Sequence, residues 1–209
     1  MSKVAIIGIG NMGKGLAGRL AGKVELVLGT RDRAGAAAFA NALKGRPAVL
    51  SPEEAAAAAD VVVLAQPFPA ALEFVRAAKL AGKVVVDMTN PVKPDFSGLS
   101  IGHTTSAAEQ LQEAAPAAHV VKAFNTIFAG LFARPESETA EIPVFIAGND
   151  EKAIAAVETL VKQAGFDAEK AGGLDAARLI EPLGMLNIRF AYGLGRGTNI
   201  APSWSKLAA

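Results

Sequence analysis

The sequence predicts an α/β fold built on a doubly wound, mostly parallel sheet, with a short helical extension at the C-terminus. Three observations support this prediction. Short runs rich in valine and isoleucine alternate with Ala-rich or amphipathic segments of helical period. The connections between them are short, as in units of strand, helix and parallel strand. A glycine-rich loop, Gly8-Ile9-Gly10-Asn11-Met12-Gly13, directly follows the first apolar run.

Eight strands can be assigned along the chain. They are predicted over residues 4–9, 24–28, 48–50, 61–65, 83–87, 119–124, 142–147 and 166–170, and most of these runs are apolar and β-branched. Parallel strands buried on both faces have this composition. We expect one domain over residues 1–172, on which a C-terminal helix and tail, residues 173–209, pack.

Helices are predicted between the strands, over residues 15–21, 33–43, 69–80, 106–115, 151–164 and 174–194. The last of these is expected to be partly interrupted at Pro182 and Gly184. A further helix starts at Ser51. The pairs Ser51/Glu54 and Ser106/Glu109 have the spacing of capping boxes.

Composition excludes several classes of function. The 209 residues are 51% hydrophobic and 20% charged, with a net charge of +1 and dispersed Lys and Arg, so we expect no nucleic-acid partner. The chain has no cysteine, which excludes disulfides and thiolate catalysis, and its two histidines lie far apart, so we expect no metal site. No apolar stretch is long enough to cross a membrane, and we expect a cytoplasmic protein.

The glycine loop has the Gly-x-Gly-x-x-Gly spacing of a Rossmann-type dinucleotide site, between a strand and a helix. Gly8 permits the tight turn, Gly10 lets the backbone approach a pyrophosphate, and Gly13 lets the helix pack on the sheet. Ile9, Asn11 and Met12 complete the loop, and the helix N-terminus favours phosphate. The alternative is a plain turn from strand to helix.

The end of the second strand predicts NADP(H) as the dinucleotide. An NAD site usually carries an acidic residue there, whereas this strand ends in Thr30 and Arg31, which suit a 2′-phosphate. Arg33 supplies a second cation. Asp32 would repel the phosphate if it pointed inward. In the alternative interpretation, Thr30 and Arg31 are solvated loop residues.

Three further strand ends are expected to line the cofactor, because ligands bind beyond the carboxyl ends of parallel strands. They are Ala65-Gln66-Pro67, Asn90-Pro91 and Asn125-Thr126, with Asn90 facing the nicotinamide carboxamide. Ordinary turn chemistry is the alternative for each. Lys122 is either a catalytic cation or a solvated lysine at a sheet edge, and both interpretations stay open.

The segments GIGNMGKGLA, Thr30-Arg31, TNPV and VVKAFNTI together resemble the NADPH:coenzyme F-420 oxidoreductase family, and the resemblance extends over nearly the whole chain. The pattern is also similar to the NADPH-binding domain of STEAP metalloreductases and, in the N-terminal half, to pyrroline-5-carboxylate reductase. The resemblance implies an NADP oxidoreductase that passes hydride to a deazaflavin or flavin. It also implies NADP contacts from Ile9, Gly10, Asn11, Met12, Thr30, Arg31, Gln66, Pro67 and Asn90.

No Ser-Tyr-Lys set or other obvious proton donor is visible in the sequence, so no catalytic residue is assigned. This favours a planar flavin or deazaflavin as the small-molecule redox acceptor, because the protein mainly orients the two rings. Two alternatives remain: an imine or small-carbonyl reductase assisted by Lys122, and a non-catalytic NADP-binding sensor. Any homodimer is expected to form through the apolar C-terminal region, residues 183–194.

Overall fold

One sheet of eight strands, covered by helices on both faces, organises residues 2–205, the part of the chain that the computed structural model describes. Residue 1 and residues 206–209, the outer ends of the two expected units, lie outside it. The strands are β1 (Lys3–Ile7), β2 (Glu25–Gly29), β3 (Ala48–Leu50), β4 (Val61–Leu64), β5 (Val84–Asp87), β6 (His119–Lys122), β7 (Pro143–Gly148) and β8 (Asp167–Gly172).

The helices lie between these strands and after the last one. They are α1 (Asn11–Leu20), α2 (Arg33–Ala42), α3 (Pro52–Ala57), α4 (Phe68–Ala77), α5 (Ala107–Ala114), α6 (Glu136–Thr139), α7 (Glu151–Gln163) and α8 (Ala177–Ile188). Short 3₁₀ turns cover residues 129–133 and 174–176, and a wider π-type turn, residues 189–193, continues α8.

The strand order is β3-β2-β1-β4-β5-β6-β7-β8, which confirms the predicted doubly wound, mostly parallel sheet. In chain order, β2 pairs with one side of β1 and β3 pairs with β2. The next strand, β4, then pairs with the other side of β1. The first six strands are parallel, β7 runs antiparallel to β6, and β8 is parallel to β7. In such sheets the reversal of strand order between β1 and β4 opens a crevice at the carboxyl edge.

The core has one apolar layer on each face of the sheet. Alternate residues of each strand enter opposite layers: Ile6 and Val63 pack with Leu16 of α1, whereas Ile7 and Val62 pack on the face that carries α4 and α5. The continuous apolar strands are therefore explained by burial on both sides.

The predicted start of one helix and the predicted interruption of another were wrong. Helix α1 begins at Asn11 rather than Gly15, because its glycines serve close packing: a Cβ on Gly13 would lie 2.0 Å from the Gly8 carbonyl oxygen. Helix α8 runs without a break through Pro182 and Gly184. Its side chains are held by tertiary hydrogen bonds, described below, which override the local cost of a proline.

The two predicted capping boxes had different outcomes. Ser51 and Glu54 form both reciprocal bonds at the start of α3. Ser106 accepts a bond from the Glu109 backbone N–H and its hydroxyl donates to the Glu109 carboxylate at 2.8 Å. That carboxylate also binds Arg178 of α8 and does not accept the Ser106 backbone N–H, so the second box is incomplete. Among residues 2–205 no helix is long and apolar enough to span a membrane.

Candidate functional site

The glycine loop brings the carboxyl ends of β1 and β4 into contact. Gly8 has φ +98°, a conformation that favours glycine, and an added Cβ would lie 2.6 Å from the carbonyl oxygen of Ala65. Gln66 and Pro67 continue from Ala65, and the Gln66 side-chain amide donates to the Ala70 carbonyl at 3.2 Å. Pro67 is the residue that precedes α4. The predicted loop and the predicted strand end therefore form one crevice wall.

The N-terminus of α1 opens toward this crevice. No side chain in the described part of the chain caps it, and its first turn contains no acidic residue. A Cβ built on Gly10 would meet no described atom within 4 Å, and Gly10 and Asn11 are exposed. Ile9 and Met12 are half-buried against the core. Free backbone N–H groups, a positive helix end and open space fit a pyrophosphate.

A cavity of about 380 Å³ lies beyond the end of β2, next to Gly8 and Gln66. Thr30 and Arg31, the two residues predicted to hold a 2′-phosphate, both line it. The Thr30 hydroxyl accepts the backbone N–H of Asp32 at 3.2 Å. The Asp32 carboxylate accepts the Gly35 N–H at 2.8 Å and caps α2. Helix capping thus explains the aspartate that the sequence left unexplained.

Two features of this cavity were not visible in the sequence. Arg33 forms an ion pair with Glu54, which also accepts the Ser51 backbone N–H, so the predicted second cation is already engaged. The Ser51 N–H bond and the nearby guanidinium lower the pKa of Glu54. Asp32, Glu53 and Glu73 also line the cavity. Arg31 is therefore the arginine that lines the cavity beyond β2, and acidic side chains surround it there.

The ends of β5 and β6 meet through two asparagines, which we call the amide pair. The Asn90 side-chain N–H donates to the Asn125 carbonyl at 2.7 Å, and the Asn125 side-chain N–H donates to Asn90 Oδ1 at 3.0 Å. Pro91 follows, and its carbonyl accepts both the backbone N–H and the hydroxyl of Ser100. Phe124 precedes Asn125 with φ +63°, an uncommon conformation for a bulky residue that turns the chain here.

Three buried polar atoms near the amide pair have no hydrogen-bond partner within residues 2–205. They are Thr89 Oγ1, Asn125 Oδ1 and Thr126 Oγ1. Buried polar groups are usually paired, and an unpaired group indicates a water or ligand at that position. These atoms follow β5 and β6, where the sequence placed the nicotinamide half of the cofactor, and they suit an amide-bearing ligand.

Lys122 is neither solvated nor at a sheet edge, so that interpretation was wrong. It is fully buried and, with Asp87 and Glu181, forms what we call the buried charge cluster. Its Nζ donates to Asp87 at 2.8 Å, Glu181 at 2.7 Å and the Thr89 carbonyl at 2.6 Å. Burial raises the pKa of the Glu181 carboxyl. Since Asp87 and Lys122 are register partners that end neighbouring strands, strand alignment offered a signal for their pairing.

Helix α8 also bounds a cleft with the loop that follows β5. A cavity of about 640 Å³ lies between Phe96 and the residues Met185, Ile188, Tyr192 and Leu194. A smaller cavity of about 320 Å³ borders Met185 and Glu181 on the other side and includes His103. One residue before Met185, Gly184 packs so closely on the amide pair that a Cβ would lie 2.8 Å from Asn90 Oδ1. Because Gly184 and Met185 are adjacent, the same turn of α8 contacts the amide pair and borders the cleft.

Comparisons with known proteins agree with this geometry. The family model described as NADP oxidoreductase, coenzyme F-420-dependent, matches residues 3–91. The chain is 30% identical over 219 residues to the F-420-dependent NADP reductase of Methanocaldococcus jannaschii, covering 95% of this chain and 96% of that protein. It is 33% identical over 186 residues to the rat metalloreductase STEAP3, covering 87% of this chain but only 36% of that longer protein.

A solved structure resembles the whole chain. It is a candidate F-420-dependent NADP reductase from Arthrobacter sp. FB24, which superposes with a TM-score of 0.86 at 33% sequence identity. The similarity covers 99% of this chain and 100% of that one, and so includes α8 and the cleft as well as the glycine loop.

Proposed function

The chain belongs to the family of F-420-dependent NADP reductases and is an NADP-dependent oxidoreductase, and from this premise we propose that its hydride acceptor is a deazaflavin. The observation that carries the choice of acceptor is the 640 Å³ cleft along α8, the helix whose Gly184 contacts the amide pair. Apart from Ser97 and Arg189, its walls are apolar or aromatic, and Phe96 and Tyr192 are both largely exposed to solvent. Such walls suit a flat ring system.

We propose that the crevice at the carboxyl edge holds NADP(H) along its length. The loop residues Gly8, Ile9, Gly10, Asn11, Met12 and Gly13 hold the pyrophosphate, and Thr30 and Arg31 hold the 2′-phosphate, with Arg33 beside them in its pair with Glu54. The strand ends Ala65, Gln66, Pro67, Asn90, Pro91 and Asn125 line the nicotinamide half. The open N-terminus of α1, the cavity beyond β2 and the unpartnered atoms after β5 and β6 support this assignment.

The proposed reaction transfers two electrons, as a hydride, from NADPH to the deazaflavin. NADPH supplies a hydride and becomes NADP⁺, and the deazaflavin ring takes up that hydride together with one proton from solvent. The side chains around the cleft orient the acceptor and exclude water from its inner face, and no side chain forms a covalent bond. We propose that residues 1–172 bind the cofactor and that residues 173–209 contact the acceptor.

The direct test follows NADPH oxidation under anaerobic conditions with deazaflavin coenzyme, FMN, FAD and riboflavin as separate acceptors. Turnover with the deazaflavin well above that with the flavins supports the proposal. Turnover with a flavin alone assigns a different planar acceptor. NADPH binding without turnover on any of the four refutes the proposed reaction and favours an imine or carbonyl substrate, or a sensor.

Variants test the location of the acceptor. Tyr192→Ala should raise KM for the acceptor about two- to tenfold, which corresponds to aromatic pairing energies of roughly 0.5–1.5 kcal/mol. The dissociation constant for NADPH should stay unchanged. Trp204→Ala is the matched control, because Trp204 is as exposed as Tyr192 (70% and 69%) but packs on Phe145 away from the cleft.

We also propose a homodimer through the outer face of α8. Leu179 and Leu186 lie seven positions apart on one side of this helix and are 75% and 46% exposed. A second copy of this chain would cover them. Light scattering at micromolar concentration should give twice the chain mass, and Leu186→Glu should reduce it to one chain. A monomeric wild-type protein refutes the dimer.

A further inference from the structure

The buried charge cluster is the part of the site that cofactor binding does not require. Asp87 and Lys122 are 0% exposed, and Glu181, which borders the 320 Å³ cavity, is 2% exposed, so the cluster offers almost no surface to a phosphate or an acceptor. A buried ion pair is also weak evidence for a role in stability. Replacing a buried ion pair by apolar residues of similar volume is often neutral or stabilising, because desolvation offsets the attraction.

The bonds of Lys122 point to what the cluster does. Two of its three N–H groups are used by the carboxylates, and the third is donated to the carbonyl oxygen of Thr89 at 2.6 Å. That carbonyl belongs to the planar peptide unit that includes the backbone nitrogen of Asn90. Asp87 accepts the Thr89 N–H at 2.8 Å, so both backbone polar groups of Thr89, its N–H and its carbonyl, are bound by the cluster. The cluster therefore sets the orientation of the chain at Asn90.

The third member of the cluster sets the position of α8. Glu181 accepts the backbone N–H groups of Ala107 at 3.0 Å and Ala108 at 3.3 Å, at the start of α5. One residue earlier in α8, the carbonyl of Ile180 accepts the Asn125 side-chain N–H at 3.1 Å. Asn187 of α8 donates to the Thr126 carbonyl at 3.0 Å. The helix that bounds the acceptor cleft is thus tied to the strand ends that line the cofactor.

We propose that Lys122 is a positioning residue for hydride transfer: through the Thr89 carbonyl and Glu181 it fixes the amide pair and α8 relative to each other, and thereby the nicotinamide relative to the acceptor. This inference rests on the proposed placement of the nicotinamide beside Asn90 and Asn125. Lys122 touches neither reactant. Its contribution is the distance and angle between them, on which hydride transfer depends steeply.

The test uses a variant in which all three charges are removed together, D87N/K122M/E181Q. No unpaired charge is left buried, and the two amides keep an acceptor for the Thr89 and α5 N–H groups. The lysine bond to the Thr89 carbonyl is lost. Lys83→Met is the matched control, because Lys83 donates to the Ala59 carbonyl at 2.5 Å at the opposite edge of the sheet.

Three quantities are measured on each protein: the NADPH dissociation constant, the fluorescence lifetime and anisotropy of bound NADPH, and kcat and KM with deazaflavin coenzyme. For the triple variant we expect an NADPH dissociation constant within about threefold of wild type, because the phosphate contacts are remote. The lifetime and anisotropy of the bound nicotinamide should fall toward those of free NADPH. The kcat should fall on the order of 100-fold with KM unchanged.

A purely structural role gives a different result. In that case the triple variant and the Lys83 control both unfold more easily, but bound NADPH keeps its wild-type lifetime and kcat is unchanged. That outcome overturns the proposal. If the triple variant does not fold, Glu181→Gln alone is measured. It leaves the ion pair of Lys122 and Asp87, which has no net charge, and should lower the lifetime of bound NADPH and kcat by a smaller factor. No shift in that variant also overturns it.

The two proposals fail separately. If wild-type protein does not reduce deazaflavin coenzyme, the proposed acceptor is refuted. The fluorescence of bound NADPH needs no acceptor and still decides the role of Lys122. A shortened lifetime in the triple variant supports positioning, and an unchanged lifetime excludes it.

Discussion

Asn90 and Asn125, at the ends of two neighbouring strands, hold each other by two hydrogen bonds, one to a backbone carbonyl at 2.7 Å and one between side chains at 3.0 Å. The bonds are possible because Gly184 of α8 presents no side chain to them. The spacing between the strand ends and α8 is therefore set by backbone contact. A small change at this contact is expected to alter activity more than it alters cofactor affinity.

Gly184→Ala tests this contact. The added Cβ would lie 2.8 Å from Asn90 Oδ1 and 2.9 Å from the Asn125 carbonyl oxygen, so α8 or the amide pair must shift. We expect the free energy of unfolding to fall by about 1–3 kcal/mol, as for other overpacked sites. We expect kcat to fall and the NADPH dissociation constant to change little. Urea unfolding and steady-state kinetics measure these quantities.

Gly18→Ala is the control for that variant. Gly18 lies inside α1, and no described atom is within 4 Å of its added Cβ. Replacing a helical glycine by alanine there should stabilise the protein by roughly 0.5–1 kcal/mol and leave kcat unchanged. If Gly184→Ala also leaves both stability and kcat unchanged, the close contact with the amide pair has no functional role.

Cofactor preference should depend on Arg31 more than on Arg33. Arg31 faces the cavity beyond β2, whereas Arg33 is paired with Glu54. We expect Arg31→Ala to weaken NADPH binding by roughly 1–3 kcal/mol, the value for lost charged hydrogen bonds, and to leave NADH binding nearly unchanged. Arg33→Ala should cost less. Fluorescence titration with both dinucleotides measures this, and equal losses for NADPH and NADH would contradict the 2′-phosphate assignment.

The glycine loop and the strand ends could be predicted because their signal is local. Gly8 and Gly13 are needed within one turn, and each is explained by a backbone contact that the spacing alone implies. Strand order and the edge at which ligands bind follow from alternating elements and short connections. Thr30 and Arg31 could be proposed as 2′-phosphate ligands for the same reason, since they directly follow β2.

The buried charge cluster could not be predicted in this way. Lys122 is 35 positions from Asp87 and 59 from Glu181, so no local pattern joins them. A lysine at the end of a strand is commonly solvated, and only the packing of α8 on this edge makes it buried. The same packing accounts for the unbroken course of α8 through Pro182 and brings Arg178 to the Glu109 carboxylate, which also accepts the hydroxyl of its own N-cap residue, Ser106.

The contact between α5 and α8 should respond to pH. Hydrogen bonds from Arg178 lower the pKa of Glu109 below its ordinary value. A carboxyl with a lowered pKa stabilises the fold above the unfolded pKa, and this contribution is lost as pH falls through the lowered value. The difference in unfolding free energy between wild type and Arg178→Met should therefore be full at neutral pH and should shrink below the ordinary glutamate pKa. Urea unfolding at several pH values measures it.

Lys162→Met is the control for that pH series. It removes a charge from the last turn of α7, away from Glu109. Its effect on unfolding should show no comparable change over the acidic range. A difference between Arg178→Met and wild type that stays constant with pH would mean that the ion pair does not contribute to stability.

Gly10 and Gly13 should separate cofactor binding from folding. A Cβ on Gly10 would meet no described atom within 4 Å, and its φ of −81° suits alanine, so Gly10→Ala should fold with wild-type stability. The same Cβ occupies the space where backbone must approach the pyrophosphate. We expect the NADPH dissociation constant to rise at least about tenfold, the equivalent of about 1.4 kcal/mol.

Gly13→Ala, whose Cβ would lie 2.0 Å from the Gly8 carbonyl oxygen, should instead lower the unfolding temperature. Calorimetry and NADPH titration on both variants distinguish the two effects, and tight NADPH binding by Gly10→Ala would place the pyrophosphate elsewhere.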